Sequence, residues 1–311
     1  MFLTKRLRVT HPTVFEQFTR RVSISDGASV YDFLGGAIKS SYKSGWDKNV
    51  QPAGREVMPG YPGLSEWTVD WTACLLAALM AKDEFTIAEL GAGYGQWMVT
   101  AIMAAKRVDP QIRCCGYAME ADPIHYQWLR ENAYRNLTDF DDVDLKLVHG
   151  AAGLDGHVEF PALADPSADY GASYSKSGSQ GQADNVVVRS LSLHSIYEQL
   201  GNESVDLLHV DIQGAEEDLI EDREFLPTMQ RTKVALFGTH RSEALHERVR
   251  EQMTAAGFTV AVEWPRRATI KTRIGQLTTV DGALLAVRND LEELAGEIVD
   301  FDELRVIERI S

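Results

Sequence analysis

The chain has 311 residues, 44% hydrophobic and 25% charged, which suits a globular protein with one large α/β domain or two modest ones. Its 46 acidic and 31 basic residues leave a formal charge of −15, and this argues against nucleic acid as the main partner, because such binding depends on a surplus of Lys and Arg. Three cysteines in apolar contexts make no disulfide framework, MFLTKRLRVTHP has no apolar leader segment, and the longest apolar run, WTACLLAALMA (71–81), is about half a bilayer span, so a reduced, cytoplasmic protein with no membrane partner is expected.

Residues 1 to 60 lack sustained periodicity, and GGAIKSSYKSGWDKNVQPAG reads as loop. Residues 1–65 are taken as an extension or cap, and the Gly/Pro/aromatic composition of 40–70 suggests a lid over an acceptor pocket. Ser65 is a candidate N-cap for a helix over 66–82, in which Trp67, Trp71, Cys74, Leu75, Ala78 and Leu79 fall at helical spacing. From there the chain alternates. Strands are predicted at 85–90, 112–120, 143–152, 205–214 and 233–240, and helices at 95–108, 123–136, 215–226 and 242–257. Residues 258–264 and 282–289 look like a closing pair of strands. This pattern predicts an α/β fold over 66–290, a doubly wound, mostly parallel sheet of seven strands. Ligands of such sheets bind beyond the carboxyl ends of the strands, where the strand order reverses. Cys114 and Cys115, adjacent in a strand, should point to opposite faces. The segment 161–185 is long for a loop and reads as either a lid or disorder, with Tyr170, Ser173 and Tyr174 available to a substrate. PRRATIKTR (265–273) reads as a solvated hairpin, and residues 291–311 as an acidic amphipathic helix.

AELGAGYGQW (88–97) packs three glycines into five positions after an apolar run. A dinucleotide loop spaces its glycines G-x-G-x-x-G, with the helix N-terminus facing pyrophosphate, whereas Gly91, Gly93 and Gly95 read G-x-G-x-G. No Lys-Ser/Thr follows to hold phosphates or magnesium. A plain βα turn also explains a lone glycine loop. Glu89 would repel a polyphosphate and attract a cationic amino group. Glu120, ending the second strand, can accept both ribose hydroxyls of an adenosine. Acid, glycines and acid together suit a nucleoside with a cationic amino-acid tail, which describes S-adenosylmethionine.

In order and spacing, IAELGAGYGQWMV, GYAMEADP, LRENAYRN, LVHGAAGLDGHVEF and VDLLHVDIQGAEEDLI resemble the FkbM family of class I S-adenosylmethionine-dependent methyltransferases, over residues 85–262. VDIQGAE (210–216) matches the family's Asp-Ile/Val-Glu-Gly-Ala-Glu signature with Gln213 in place of the usual acid, and LFGTHRS (236–242) departs where the family commonly has Glu before His. The resemblance implies a Rossmann-like class I sheet that binds S-adenosylmethionine. Gly91, Gly93 and Gly95 would then lie against its methionine and ribose, with Tyr94, Gln96 and Trp97 lining the turn. For Trp97, a core aromatic is an equal alternative. Glu120 would bind ribose, Ala121 and Asp122 would flank the adenine, and Gly150 and Ala151 would meet its edge. Glu89, Asp211 and Gln213 complete the expected cofactor set. At the end of the fourth strand, Asp211 is the candidate base or acceptor-orienting residue, with capping of the next turn as its alternative. His240 is the second candidate, because an imidazole titrates near neutrality, although a structural role is open to it too. Glu216 suits a helix N-terminus. His209 shares a face with Asp211 and either supports it or is buried beneath a helix. Two separated ligands without a third make no metal site, so no metal is expected.

The leading reading is an O-methyltransferase acting on a hydroxyl of a small-molecule, natural-product or sugar (glycan) acceptor, with a homo-oligomer left open. The alternatives are an NAD(P)-dependent oxidoreductase, disfavoured by G-x-G-x-G and Glu89, and a catalytically decayed cofactor-binding module, favoured by Gln213 and the altered FGTH segment.

Overall fold

The computed structural model of the chain describes residues 10–176 and 185–310. Its main sheet has seven strands: β1 (Glu84–Leu90), β2 (Arg113–Glu120), β3 (Val143–His149), β4 (Val205–Val210), β5 (Thr232–Thr239), β6 (Phe258–Trp264) and β7 (Gly282–Arg288). They lie in the order β6-β7-β5-β4-β1-β2-β3. β7 runs antiparallel to both neighbours, and the other pairs are parallel. The doubly wound reading therefore holds, including the closing pair. The order reverses between β1 and β4, which opens a crevice at their carboxyl ends. β4 is buried along its whole length and β1 along all but its first residue. Helices cover both faces, so these strands read as apolar runs without alternation.

One face is packed by α1 (Thr68–Met80), α2 (Gln96–Val108) and α3 (Pro123–Leu137), and the other by α4 (Leu193–Leu200), α5 (Glu216–Glu221), α6 (Phe225–Met229) and α7 (Glu243–Ala255). Cys114 belongs to the first core and Cys115 packs against the second, as the strand period requires. Eleven of the thirteen residues of α1 are buried, so the apolar run at 71–81 is a core helix. No helix among the described residues is long and apolar enough to cross a membrane.

Several expected boundaries move. α1 begins at Thr68, and the Ser65 side chain does not cap it: the Ser65 carbonyl accepts from the Thr68 amide (3.0 Å) and its amide donates to the Thr68 hydroxyl (2.9 Å). The helix expected over 215–226 is two, parted at Asp222, whose carboxylate accepts from the Glu224 amide (3.2 Å) and so competes with the helical ladder. The third strand ends at His149. Beyond Gly150, Ala151–Ala152 leaves the main sheet and pairs with Ser190–Leu191 in a second one. Of the 161–185 segment, Ser175–Lys176 pairs with the strand Gly156–Phe160, and residues 177–184 lie outside the described residues.

The helix expected over 291–311 is not a single one across the described residues 291–310. α8 (Glu292–Ile298) is followed by a 3-10 turn (Phe301–Glu303) and a strand (Glu308–Ile310), which joins the hairpin Thr269–Lys271/Gln276–Thr278. The backbone turns extended at Val299 and ends α8, Val299 and Leu304 are both buried, and the Trp264 indole donates to the Leu304 carbonyl (2.8 Å). Residues 10–65 hold short 3-10 turns and two small two-stranded sheets. One core runs through extension, sheet and tail, because Phe15, Phe33, Trp71, Ile87, Ala295 and Leu304 belong to a single buried cluster.

Candidate active site

The crevice between β1 and β4 opens into a cavity of about 980 Å³, counted out to its mouth, at the upper end of the size of small-ligand sites. Its floor is the glycine stretch. The amides of Gly91 and Ala92 both donate to the Met119 carbonyl (3.0 Å), and the Asp211 amide donates to the Leu90 carbonyl (2.9 Å). β1, β2 and β4 are thereby drawn together. Gly91, at φ +77°, has no room for a Cβ because the Asp211 carbonyl occupies that place. Gly95, at φ +74°, opens α2, and Leu129 of α3 stands where its Cβ would be. Two of the three glycines thus answer to protein packing. At Gly93, φ +54°, the near neighbour is the Tyr170 ring, and its amide donates to Glu120 Oε2 (2.7 Å); like Gly91 it lines the cavity.

Glu120 is pinned at the rim. Its Oε1 accepts from the Asp122 amide (2.7 Å), so each oxygen holds one backbone donor and retains acceptor capacity, and the residue lines the cavity. Burial pushes its carboxyl up to about 7, against the pull of those amides. Glu89 is buried beneath the start of α2, where its oxygens accept from the amides of Trp97 (3.2 Å) and Met98 (2.9 Å). It acts as the helix cap that Gly95 cannot supply, at the positive end of the helix. Burial pushes Glu89 up to about 7 as well, against the favourable field of His209 and the two amides.

On the other wall, Asp211 follows β4 with its side chain about 42% exposed. Its Oδ1 lies 3.2 Å from His240 Nε2 and accepts from the Gln213 side-chain amide (2.7 Å). Gln213 reaches it from a left-handed backbone, φ +55°. His240 Nδ1 lies 2.7 Å from the fully buried Glu216, whose Oε1 also accepts from the Ile212 amide (3.3 Å). Burial alone would lower the imidazole, but the two carboxylates raise it to about 10. Conversely, partial removal from bulk water would raise Asp211, and His240, first among its neighbours, holds it below its ordinary value. The expectation that His240 titrates near neutrality is therefore corrected: it is a clamped cation with both nitrogens engaged. His209 is buried as well, its Nε2 2.9 Å from Asp70 of α1, and Nδ1 has no partner among the described residues. It thus supports Asp70 across the sheet face and makes no hydrogen bond to Asp211.

Glu89, Gly91, Gly93, Tyr94, Gln96, Trp97, Glu120, Ala121, Gly150, Ala151, Asp211 and Gln213 all line the cavity. Gly95, Asp122 and His240 do not. The Asp122 carboxylate caps α3, its Oδ1 accepting from the amides of Ile124 (2.9 Å) and His125 (2.8 Å). Ser173 is also off the lining and accepts from Arg241 (3.1 Å). Trp97 is both a wall of the cavity and a member of the core. Sequence reasoning missed Lys43, His125 and Asp169, which line the site from the extension, α3 and the 161–176 loop. The one available signal was the aromatic density around them, because Tyr42, Trp46, Tyr94, Trp128 and Tyr170 share a satellite core.

A model of the methyltransferase FkbM domain matches residues 89–260, more than half of the chain. The chain belongs to the FkbM methyltransferase family. The match begins at Glu89, under the glycine stretch, and ends in β6, so it spans both walls of the cavity. The chain is 28% identical, over 269 residues, to a protein of Jannaschia sp. (strain CCS1) named "Putative methyltransferase", covering 82% of this chain and 91% of that protein. Among solved structures, a methyltransferase FkbM from Methylobacillus flagellatus KT aligns at 12% identity and TM-score 0.40, over 67% of this chain and 45% of that one. An S-adenosylmethionine-dependent methyltransferase from Agrobacterium tumefaciens aligns at 12% identity and TM-score 0.40, over 77% and 69% of the two chains. This FkbM-domain chain is a class I methyltransferase by family and by the order of its sheet.

Proposed function

We propose that the chain binds S-adenosylmethionine between the glycine stretch and Glu120 and methylates a hydroxyl of a small-molecule acceptor. The observation that carries this reading is the Glu120 carboxylate, which lines the cavity and is fixed by the Gly93 and Asp122 amides with acceptor capacity retained. That is an acceptor pair suited to two vicinal hydroxyls, and among the described residues nothing beside it resembles a phosphate cradle. S-adenosylmethionine, when bound, supplies an electrophilic methyl on a sulfonium leaving group. The residues of this chain hold the reactants in line, which removes most of the entropic part of the barrier. Asp211 accepts the hydroxyl hydrogen bond and takes the proton as the O–C bond forms and the S–C bond breaks. A carboxylate below its ordinary pKa suffices, because the oxygen becomes strongly acidic only as it is alkylated. His240 and Gln213 aim Asp211 and keep it ionised.

The test is a calorimetric titration with S-adenosylhomocysteine, NAD and NADP, repeated on Glu120→Ala. S-adenosylhomocysteine should bind alone among the three and at least tenfold more weakly to the variant, since a vicinal pair of charge-assisted hydrogen bonds contributes at least about 1.5 kcal/mol. Binding of a nicotinamide cofactor instead would replace this reading with the oxidoreductase one.

A further inference from the structure

Lys43, from the N-terminal extension, is the only Lys or Arg among the described residues that line the cavity. Its Nζ lies 4.1 Å from the ring centroid of Trp67, 5.7 Å from that of Tyr170 and 5.9 Å from that of Trp46. Aromatic faces attract a cation through their quadrupole, yet they accept no strong hydrogen bond, and an ammonium has three donors to place. Among the described residues none of those donors meets an acceptor. The contacts that the lining carboxylates make are with other groups: Glu89 with the α2 amides, Glu120 with the Gly93 and Asp122 amides, Asp169 with the Gly171 amide (3.0 Å), and Asp211 with His240 and Gln213.

The backbone on either side of Lys43 is also held in place. Tyr42, one residue before, stacks on Trp128 with 5.2 Å between centroids and donates to Glu131 (2.9 Å). Its carbonyl accepts from the Tyr170 hydroxyl, and the Ser44 amide, one residue after, donates to the Ser167 carbonyl (2.9 Å). Extension and 161–176 loop thus clasp each other around Lys43. A half-buried, unpaired ammonium on fixed backbone, beside the faces of Trp67 and Tyr170, has the chemistry of an anchor for a flat anion.

We infer that Lys43, Trp67 and Tyr170 form the acceptor subsite, and that the acceptor is a hydroxylated aromatic carboxylic acid whose carboxylate pairs with Lys43. The fate of its hydroxyl rests on the methyl-transfer reading, whereas binding of the acid does not. A primary amide of the same shape offers the ammonium a neutral acceptor only, so it should bind at least about tenfold more weakly.

The experiment titrates the full chain, with and without saturating S-adenosylhomocysteine, against 4-hydroxybenzoate, 4-hydroxycinnamate and their primary amides, read by heat and by tryptophan fluorescence. At least one acid should bind, at least tenfold more tightly than its amide. Lys43→Gln should erase that preference and Lys43→Arg should keep it, with S-adenosylhomocysteine affinity as the control for folding. Failure of both acids to bind, equal binding of acid and amide, or a preference that survives in Lys43→Gln would overturn the inference. A wild-type chain that takes the acid but no S-adenosylhomocysteine would sink the cofactor reading and leave the Lys43 subsite standing.

Discussion

Glu120 and Asp211 are both carboxylates at the carboxyl ends of strands, and their surroundings push them in opposite directions. Burial raises Glu120 to about 7, while the His240 cation holds Asp211 low. Ribose hydroxyls are donors and favour an ionised acceptor, so affinity for S-adenosylhomocysteine should rise with pH as Glu120 loses its proton. Between pH 6 and 8 the gain should approach about tenfold, and Glu120→Gln should lose most of that slope; a flat wild-type profile would count against Glu120 as the ribose ligand. At Asp211, substitution by Asn should lower kcat by about 10²–10⁴, the usual range for a positioned proton acceptor. His240→Gln removes the cation, so Asp211 should move back up and the acid limb of the pH–rate profile should shift to higher pH. An unmoved limb would mean that His240 does not hold Asp211 ionised.

Helix starts show what capping requires at the level of an element. α7 begins after Ser242, whose hydroxyl accepts from the Leu245 amide (3.1 Å), and that cap is plain in the sequence. α1 has a serine in the same style of context at Ser65, but the Thr68 hydroxyl turns back on the Ser65 amide and the helix starts without it. Ser242→Ala should therefore cost about 0.5–2 kcal/mol and Ser65→Ala next to nothing, as measured by urea unfolding; equal losses would contradict the two geometries. At α2 the cap comes from Glu89, inside the preceding strand, where no search of the residues just before the helix would find it. The glycines around it follow the same logic. Gly91 and Gly95 stand where β4 and α3 come closest to the loop, and Gly91 lines the cavity as well.

For the molecule as a whole, the extension and the C-terminal tail are parts of one core. Glu303 accepts from the Thr13 amide (2.8 Å) and hydroxyl (3.1 Å), joining the two ends directly. Leu304 is fully buried beneath the Trp264 hydrogen bond. Leu304→Ala should therefore behave as a core deletion and cost about 2–5 kcal/mol in thermal or urea unfolding; a loss near zero would return the tail to the solvated helix that its acidic composition suggests. The same joining puts Lys43 and Trp67 on the cavity wall, because the extension is held down on α1, α3 and the loop beyond β3.

What the sequence determined by itself is whatever depends on local period and order: the alternation of strands and helices, the seven-stranded doubly wound sheet, the glycine turn, and the carboxylates at the ends of β2 and β4. Strand period, buried apolar runs and strand-end position are properties of neighbouring residues, so they survive without a third dimension. Tertiary structure decided which side chains share a hydrogen bond across the sheet. Asp211, His240 and Glu216 meet only because β4, β5 and the start of α5 converge, and Lys43 reaches the cavity from residues far upstream. Protonation followed from the same contacts, since burial and neighbouring charge, not residue type, made His240 a cation and lifted Glu89 and Glu120 towards neutrality.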